Sequence, residues 1–500
     1  MSRTSLAWIQ QELFIIRPMS RLKIYRAMLV CLALVSTPAY TDIDLPDLGD
    51  SGAATITVAE EKRTGATVLR NLRHAGLIVD DALITDYLNQ LGYKLLSHHN
   101  YNSQTTFEFF LVNDNGINAF ALPGGYIGIN YGLFQQTETE SELASVMAHE
   151  IAHVTQRHYA RAYDLGTKSE LPVLAAIIAA IVLGSQDGEL GEAAMATAVA
   201  AQAQKQINFT RQNEYEADRI GIQILSQAGF DPGEMASFFD KLDRQSRLYG
   251  IEVPEFLRTH PINASRITEA RGRARLLPPP KTTTSLSYQI MRERIVALAS
   301  RNKQRTEKQY QLDLKTKKGD ALTATRYGYT LSLMRQEKYT QAKQHIEILL
   351  KQYPHRIAFL LAKAQIQTEA KEITHAIKTY RDALTLYPHN EAISYELAAL
   401  LVVEKQYKPA KTLLDNLLKS TPRNPAFYKL MAQTEAALGH QAQSHAAQAE
   451  YYYQIGQFHQ AIDQINIALK TKPLDFYTAS KLEAKLASIK QEAPKNQTER

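Results

Sequence analysis

His149-Glu150-Ile151-Ala152-His153 is the stretch of this 500-residue sequence that decides the fold of its first half. Residues four apart in an α-helix lie one above the other, so His149 and His153 present their imidazoles on one face. Helices use this spacing to bind a metal ion through two histidines. Glu150 lies about 100° further round the helix, where its carboxylate can take a proton from a metal-bound water. The pentapeptide predicts zinc-assisted peptide hydrolysis.

The neighbours of the motif distinguish a metal site from a chance match on a charged, solvated helix face. Most of them are apolar: Leu143, Ala144, Val146, Met147, Ile151, Ala152 and Val154. Burying two histidines and a glutamate in such a helix is costly unless they are paired or bind a ligand. Thr139 and Glu142 have the spacing of a capping box, which predicts that the helix begins there.

A zinc site needs a third protein ligand, and the acidic segment at residues 213–218 offers two candidates. Glu214 and Glu216 both precede an amphipathic run, and spacing alone does not choose between them. Asp218 lies one turn beyond Glu214 on the same face, placed to accept the second N–H of a ligating histidine. The alternative is a solvated acidic first turn, which the helix dipole favours in any case.

Three separated motifs together resemble the HtpX-like and CAAX-prenyl-protease zinc metallopeptidases. These are His149-Glu150-x-x-His153, Glu214-x-x-Ala217-Asp218 and the segment Asn118–Tyr126, within a resemblance that runs from about Glu60 to Arg275. The resemblance implies an α+β zincin-like domain, mostly helical with a small sheet, and one zinc ion per subunit. It also implies that Glu214 is the third ligand. The most similar group is periplasmic, takes part in β-barrel assembly and has soluble members with a C-terminal repeat domain.

The segment Leu122–Asn130 contains a turn followed by a short run suited to a β-strand. Glycines beside a strand let another backbone approach closely. We expect Gly124, Gly125 and Tyr126 to belong to an edge strand that pairs with an extended substrate. The alternative is an ordinary hairpin within the core sheet.

Two further residues are candidates for the site. His260 precedes Pro261 in a loop that can present its imidazole to the metal's open position. Such a regulatory fourth ligand would displace the catalytic water and keep the enzyme latent, whereas the alternative is a histidine that only hydrogen-bonds. Arg266 is predicted to bind the carboxylates of Glu214 and Asp218 or a substrate carbonyl. His158 lies five residues beyond His153, on a different face of a continuous helix, and is left outside the metal site.

The N-terminal region has the order of a secretory signal at residues 19–41. Three basic residues precede an apolar core, Ala27–Val35, and small residues follow at 37–39. The core is too short for a membrane anchor, which needs about 20 residues. Residues 1–18 fit the signal poorly, so Met19 is a second candidate for the start of the chain.

Composition agrees with export and with a protein partner. Cleavage of the signal would remove Cys31, the sole cysteine, which suits an oxidising compartment such as the bacterial periplasm. The net charge is +6 without a stripe of arginine and aromatic residues, so nucleic acid is not an expected partner.

A second apolar run, Leu171–Leu183, is followed by an alanine-rich stretch at residues 193–203. Thirteen residues are too few for a spanning helix. We interpret residues 171–206 as a helical excursion near the active site. Such a segment implies contact with a partner or at most peripheral contact with a membrane. The alternative is packing within the protein core, which is the more common role of an apolar segment of this length.

The second half of the chain repeats with a period of 34 residues. Three prolines keep this spacing: Pro354, Pro388 and Pro422. Three alanines keep it at matching phase: Ala342, Ala376 and Ala410. Pro473 follows Pro422 after 51 residues, with an irregular joint near residues 423–450. This is the tetratricopeptide pattern, which predicts an all-α solenoid of stacked helix pairs.

These observations divide the chain into five predicted parts. Residues 1–41 are an N-terminal extension and signal peptide, and residues 42–276 are the metallopeptidase domain. Residues 277–300 contain Pro-Pro-Pro and several threonines and are predicted to be a linker. The repeat domain covers residues 301–490, and a polar tail covers 491–500.

Two functions fit this organisation. The first is a periplasmic zinc endopeptidase that degrades stalled or misassembled proteins, with outer-membrane proteins and their assembly machinery as the partners that the resemblance implies. The second is a chaperone or assembly scaffold whose peptidase site is latent. The intact set of His149, Glu150, His153 and Glu214 favours retained chemistry.

Overall fold

The computed structural model describes residues 56–97, 105–165, 211–249, 255–281 and 284–493. The predicted signal peptide at 19–41 and the apolar segment at 171–206 lie outside these residues. Of the predicted tail, residues 494–500 lie outside them as well. None of the described helices is both long enough and apolar enough to cross a membrane.

The first domain begins with two helices, α1 (Val58–His74) and α2 (Ala82–Leu96). Thr57 starts α1 through a reciprocal capping box with Glu60, which satisfies two backbone N–H groups that have no partner in the first turn. Asp81 is the N-cap of α2, and its side chain accepts a hydrogen bond from the N–H of Ile84. Both helices bury an apolar face against the sheet.

The sheet has three strands: β1 (Glu108–Val112), β2 (Ala119–Leu122) and β3 (Tyr126–Asn130). Their order is β1-β3-β2, with β3 parallel to β1 and antiparallel to β2. The turn between β2 and β3 contains Gly124 and Gly125, both at positive φ. A Cβ on Gly124 would lie 2.4 Å from Lys62 Cα, so this turn packs directly on α1.

The sheet order contradicts the predicted position of the edge strand. Tyr126 begins β3, which is the central strand and pairs with a neighbour on each side. The two edge strands are β1 and β2, and β2 lies on the opposite side of the turn from Tyr126. Local sequence could locate the hairpin but not the third strand, because β1 joins β3 through a parallel pairing set by the fold.

Helix α3 (Tyr131–Gln136) leads into α4 (Glu140–Thr155), which carries the histidine motif. As predicted, Thr139 is the N-cap, and its hydroxyl accepts from the N–H of Glu142 at 3.1 Å. The capping box is not reciprocal, because the Glu142 carboxylate accepts from the N–H of Glu138 instead. Nearly every side chain of α4 is buried, so this helix is the centre of the domain.

Five further described helices surround α4. They are α5 (His158–Leu165), α6 (Arg211–Gln227), α7 (Gly233–Tyr249), α8 (Glu255–Thr259) and α9 (Ala264–Ala274). Helix α6 packs along α4 at close range, because Gly221 carries no side chain at the crossing. A Cβ there would lie 3.2 Å from the backbone nitrogen of His149.

The residues predicted as a linker contain a buried helix, α10 (Leu286–Ala299). Its Tyr288 is fully buried and donates its hydroxyl to the carbonyl of Thr137, directly before α4. The Ser285 N–H, at the start of α10, donates to the Glu140 carboxylate. Residues 286–299 are therefore part of the core and not a flexible connection, because they pack against α2 and α3 of the peptidase domain and also against the helix Gly319–Met334.

The repeat domain is all α-helical, as predicted. Its helices are α11 (Lys303–Thr316), α12 (Gly319–Met334), α13 (Tyr339–Gln352), α14 (Ile357–Glu369), α15 (Ile373–Leu386), α16 (Glu391–Val403), α17 (Tyr407–Ser420), α18 (Pro425–Ala437), α19 (Gln441–Gln454), α20 (Phe458–Lys470) and α21 (Phe476–Glu492).

The three periodic prolines each lie two residues beyond the end of a helix, after α13, α15 and α17. The three periodic alanines are fully buried, where small side chains let paired helices approach closely. The 51-residue step from Pro422 to Pro473 is one 34-residue repeat plus 17 residues. The additional helix, α19, accounts for that half repeat, since it packs on both α18 and α20.

The last repeats pack back against the peptidase domain. Arg70 of α1 forms an ion pair with Glu492 at 3.2 Å, and its guanidinium lies over the ring of Tyr453. Arg423 donates to the hydroxyl of Tyr126 at 2.9 Å. The α+β domain and the solenoid therefore share a polar interface, and the predicted fold class is confirmed.

Two helical glycines test the packing of α1. A Cβ on Gly65 would lie 2.0 Å from the carbonyl oxygen of Pro123, whereas one on Gly272 of α9 would meet open space. We expect Gly65→Ala to lower the free energy of unfolding by about 1–3 kcal/mol through overpacking. Gly272→Ala is the matched control and should raise that energy by up to about 1 kcal/mol. Urea denaturation followed by circular dichroism measures both, and equal effects would contradict the packing.

Candidate metal centre

Helix α4 places both motif histidines and Glu150 in the interior. His149, Glu150 and His153 are at most 3% exposed. The Nε2 atoms of His149 and His153 lie 3.0 Å apart, so the i, i+4 spacing brings the two imidazoles to one point as predicted. Glu150 points to the sheet, and the backbone N–H of Ala121 on β2 hydrogen-bonds its carboxylate.

Glu214, in the first turn of α6, lies against this pair. Its Oε2 is 3.5 Å from His149 Nε2, and its Oε1 is 3.5 Å from His153 Nε2. The other acidic candidate, Glu216, faces away and contacts His158 and Arg161. The structure thus brings Glu214 and not Glu216 to the histidines.

His260 lies directly after α8 and completes the group. Its Nδ1 is 3.3 Å from His149 Nε2 and 3.2 Å from Glu214 Oε1. Its backbone N–H donates to the carbonyl of Phe256, and the two rings lie 4.9 Å apart. One donor atom from each of His149, His153, Glu214 and His260 falls within 4.8 Å of the others.

Arg266 and Asp218 form the layer behind the ligand atoms. Asp218 Oδ1 lies 3.0 Å from His149 Nδ1, on the side of the ring away from the cluster. Arg266 is 1% exposed and makes two hydrogen bonds to the Asp218 carboxylate, at 2.7 and 2.8 Å. Its third nitrogen lies 2.9 Å from Glu214 Oε2. Arg266 therefore ties the two carboxylates of α6 to α9.

The electrostatics of the group follow from its burial. Burial raises the pKa of the Glu150 carboxyl above its ordinary value, which suits a group that must accept and return a proton. Burial also acts on Glu214, but the charge of His260 and a hydrogen bond from His149 hold its pKa well below the ordinary range. Glu214 is thus an anion, the form that binds a cation.

Three observations show that these residues fit a divalent metal. Four ligands at about 2.0–2.1 Å from a tetrahedral ion lie roughly 3.3 Å apart, and five of the six pairs of these residues have donor atoms 3.0–3.5 Å apart. Among the residues that the structure describes, the one guanidinium that contacts the buried carboxylates of Glu214 and Asp218 is that of Arg266, and the Glu150 carboxylate contacts His260 instead. Finally, Glu150 Oε1 is buried and accepts no hydrogen bond from any residue that the structure describes.

The contacts of Gly124, Gly125 and Tyr126 are with residues other than the four donor residues. Gly124 contacts α1, a Cβ on Gly125 would lie 2.5 Å from the Thr106 carbonyl oxygen, and Tyr126 contacts Arg423. The strand that reaches the site is β2, through Ala121.

His158 was predicted to lie outside the metal site, and it is not among the four donor residues, but its contact with His153 was not predicted. The helix stops at Thr155, and Arg157 takes a left-handed conformation with φ of +50°, so His158 turns back towards His153. The predicted position of His158 on a different face from His153 was wrong, because the helix ends at Thr155 and does not continue to His158. A left-handed arginine leaves no signal in a single sequence.

The sequence of this chain is similar to those of known proteins. Residues 83–274 match peptidase family M48, and residues 331–391 and 369–434 match tetratricopeptide repeats. The chain is 35% identical over 461 residues to the β-barrel assembly-enhancing protease of Escherichia coli K12, covering 91% of this chain and 93% of that one. The chain belongs to peptidase family M48. It is therefore a metallopeptidase, and the predicted family is confirmed.

Two further relatives show where the similarity lies. The β-barrel assembly-enhancing protease of Yersinia pestis is 35% identical over 448 residues, or 89% of this chain and 91% of that protein. The mitochondrial metalloendopeptidase OMA1 of Arabidopsis thaliana is 30% identical over 161 residues, 32% of this chain and 30% of that protein. The first relative therefore matches both domains, and the second matches a segment no longer than the peptidase domain.

Arg266 is expected to be essential for the stability of the metallopeptidase domain. Arg266→Met would leave the carboxylates of Glu214 and Asp218 without their buried cation, which should cost about 3–5 kcal/mol of unfolding free energy. Arg271→Met on the same helix is the control, because Arg271 is 49% exposed and lies 3.7 Å from Asp240. That change should stay within about 0.5 kcal/mol. Urea denaturation of the chelator-treated protein measures both, and similar losses would contradict the buried role of Arg266.

Proposed function

We propose that this protein is a zinc-dependent endopeptidase of the periplasm that acts in the assembly and quality control of outer-membrane β-barrel proteins. The observation that carries the proposal is the buried donor set of three histidines and Glu214 beside the buried carboxylate of Glu150, whose Oε1 lies 3.4 Å from His260 Nε2. Nitrogen and carboxylate ligands in near-tetrahedral separation are typical of zinc sites, with other divalent metals as the competing choice.

His149, His153 and Glu214 would hold the metal in this proposal. A zinc ion bound there supplies a Lewis acid that polarises the peptide carbonyl and acidifies a water molecule. Glu150 is the general base: its carboxylate accepts the proton of the attacking water at an oxygen and then delivers it to the leaving amine. Asp218 holds His149 through Nδ1, and Arg266 keeps Asp218 and Glu214 ionised and in place.

Strand β2 is the proposed substrate-binding edge. It is the terminal strand of the sheet beside α4, and its Ala121 N–H reaches the Glu150 carboxylate. A substrate chain that adds to β2 as another strand would run beside the catalytic residues. Backbone hydrogen bonds of this kind select an extended conformation and not a particular sequence, which suits an unfolded client.

His260 is proposed to be a regulatory ligand. Four protein ligands close a zinc site, whereas a catalytic zinc needs one open position for water. With Nδ1 of His260 among the donor atoms, the arrangement is that of a latent enzyme. Movement of the short segment between α8 and α9, where His260 lies, would free the position and activate cleavage.

Location and clients rest on the relatives and on the two ends of the chain. The relatives that match over both domains are named for β-barrel assembly. The N-terminal residues carry the pattern of a secretory signal. The repeat domain is proposed to bind clients or the assembly machinery, since stacked helix pairs form extended surfaces for protein partners. The start of the repeat domain near residue 301 is part of this proposal.

A second candidate function is a chaperone or assembly scaffold with a latent site. The specific observation that favours it is the closed donor set with His260 in place. The two functions make different demands on Glu150, because only cleavage needs its carboxylate.

Two substitutions separate these functions. Glu150→Gln should keep the metal but reduce cleavage of casein by at least about 100-fold, because the amide cannot accept the proton. His260→Ala should raise the initial rate by opening a ligand position. The control is His440→Ala, a half-exposed histidine paired with Glu435 in the repeat domain, which should leave cleavage unchanged.

Metal content and proteolysis are measured on the same preparations of the full chain. Unchanged or lower cleavage by His260→Ala would refute the regulatory role. If Glu150→Gln supports β-barrel assembly in cells as well as wild type does, the scaffold function is the correct one.

A further inference from the structure

His153 has a hydrogen-bonding partner behind it that the family motifs did not indicate. The turn at Arg157 brings His158 into the interior, where it is fully buried. Its Nδ1 lies 2.7 Å from the Nδ1 of His153, and the two rings meet edge to face at 4.8 Å. The turn is itself fixed, because the Arg157 guanidinium binds Glu61 and the carbonyl of Ile56 on the far side.

Protons can be assigned along this contact if His153 binds a metal. Its Nε2 faces the donor cluster, so a neutral His153 carries its proton on Nδ1. That N–H donates to His158, whose Nδ1 must then be the acceptor. A neutral His158 carries its own proton on Nε2, which lies 3.2 Å from Glu216 Oε2.

The far end of this chain is an ion pair. The Arg161 guanidinium donates to Glu216 Oε2 at 2.8 Å. Glu216 therefore accepts from both His158 and Arg161 and is held as a carboxylate. One direction of donation gives each of these three contacts one donor and one acceptor, and reversing the bond between the two histidines would leave two acceptors facing each other at Glu216.

Both metal-site histidines of α4 are supported from α6. Asp218 lies behind His149, and Glu216 lies behind His153 through His158. Glu214, Glu216 and Asp218 are spaced by two along α6 and have different contacts. Glu214 faces the donor cluster, Asp218 contacts His149 from behind, and Glu216 contacts His158. A carboxylate behind a ligating histidine holds its ring orientation and raises its basicity.

We propose that His158, held by Glu216, is a positioning residue for the metal ligand His153. The proposal rests on the metal site of the proposed function. His158 binds no metal itself: it sets the tautomer and the ring plane of His153. Loss of this support should weaken metal binding, and substitutions at such outer positions typically cost about 10–100-fold in metal affinity.

Three variants separate positioning from packing. His158→Phe keeps a ring of similar size but offers no acceptor, so zinc affinity should fall about 10–100-fold. His158→Asn places an amide oxygen within reach of the His153 N–H and should recover part of that loss. Glu216→Gln keeps an acceptor for His158 without the charge and should weaken zinc binding less than His158→Phe. The control is His440→Phe, which removes a histidine from Glu435 in the repeat domain.

The measurement is competition for zinc between the full-length protein and a chelator of known affinity. The visible spectrum of the cobalt-substituted protein is a second readout, since it reports the ligand field and not overall stability. Thermal melting of the metal-free variants shows which of them are folded. If His158→Phe does not fold, the zinc affinities of His158→Asn and Glu216→Gln relative to wild type test the proposal.

The outcomes are distinct. Weaker zinc binding and an altered cobalt spectrum in His158→Phe, with partial recovery in His158→Asn, support the proposal. Wild-type affinity in folded His158→Phe would overturn it, and so would equal losses in the Phe and Asn variants, because only packing would then matter. Absence of zinc binding in wild type would refute the proposed function itself.

Discussion

The structure depends on burying ionisable groups around a helix that has almost no exposed face. Glu150, Glu214 and Asp218 lie in the interior of the peptidase domain, and Arg266 is the buried cationic partner of Glu214 and Asp218. Isolated charges at such depth are strongly unfavourable, so each must be matched by another group. The positions of α6, α8 and α9 relative to α4 meet this requirement. Helix α6 supplies Glu214 and Asp218, α9 supplies Arg266, and His260 directly follows α8. In the proposed function, a divalent cation bound by His149, His153 and Glu214 completes this balance of charge.

Close contact between backbones makes this arrangement possible. Gly221 lets α6 approach the backbone of α4 at His149, which brings Glu214 to the imidazoles. From the same helix, Asp218 and Glu216 reach the far sides of the two imidazoles, one directly and one through His158. The repeat domain joins the same unit through α10, which is buried beside α4, and through the contacts of Arg70 and Arg423. The catalytic group and the partner-binding domain are therefore parts of one packed structure.

Sequence reasoning succeeded where the signal is local or periodic. The histidine motif, the N-cap at Thr139 and the 34-residue period each lie within one helix or one repeat, and the structure has each of them as predicted. It failed where distant pairing decides. Tyr126 lies on a central strand because β1 pairs with β3 from the other side, which no residue near Tyr126 encodes. His158 turns inward because Arg157 takes a left-handed conformation. The choice between Glu214 and Glu216 needed the family resemblance, since both precede the same amphipathic run.

The mechanism requires that Glu214, with the histidines of α4, binds one metal ion in a buried site. The zinc content of the purified full-length chain, measured after exposure to saturating zinc and removal of the excess, tests this requirement. We expect one zinc per chain in wild type, its loss in Glu214→Gln and its retention in Glu216→Gln. Zinc retained by Glu214→Gln but lost by Glu216→Gln would rule out this ligand set, as would a wild-type protein that binds none.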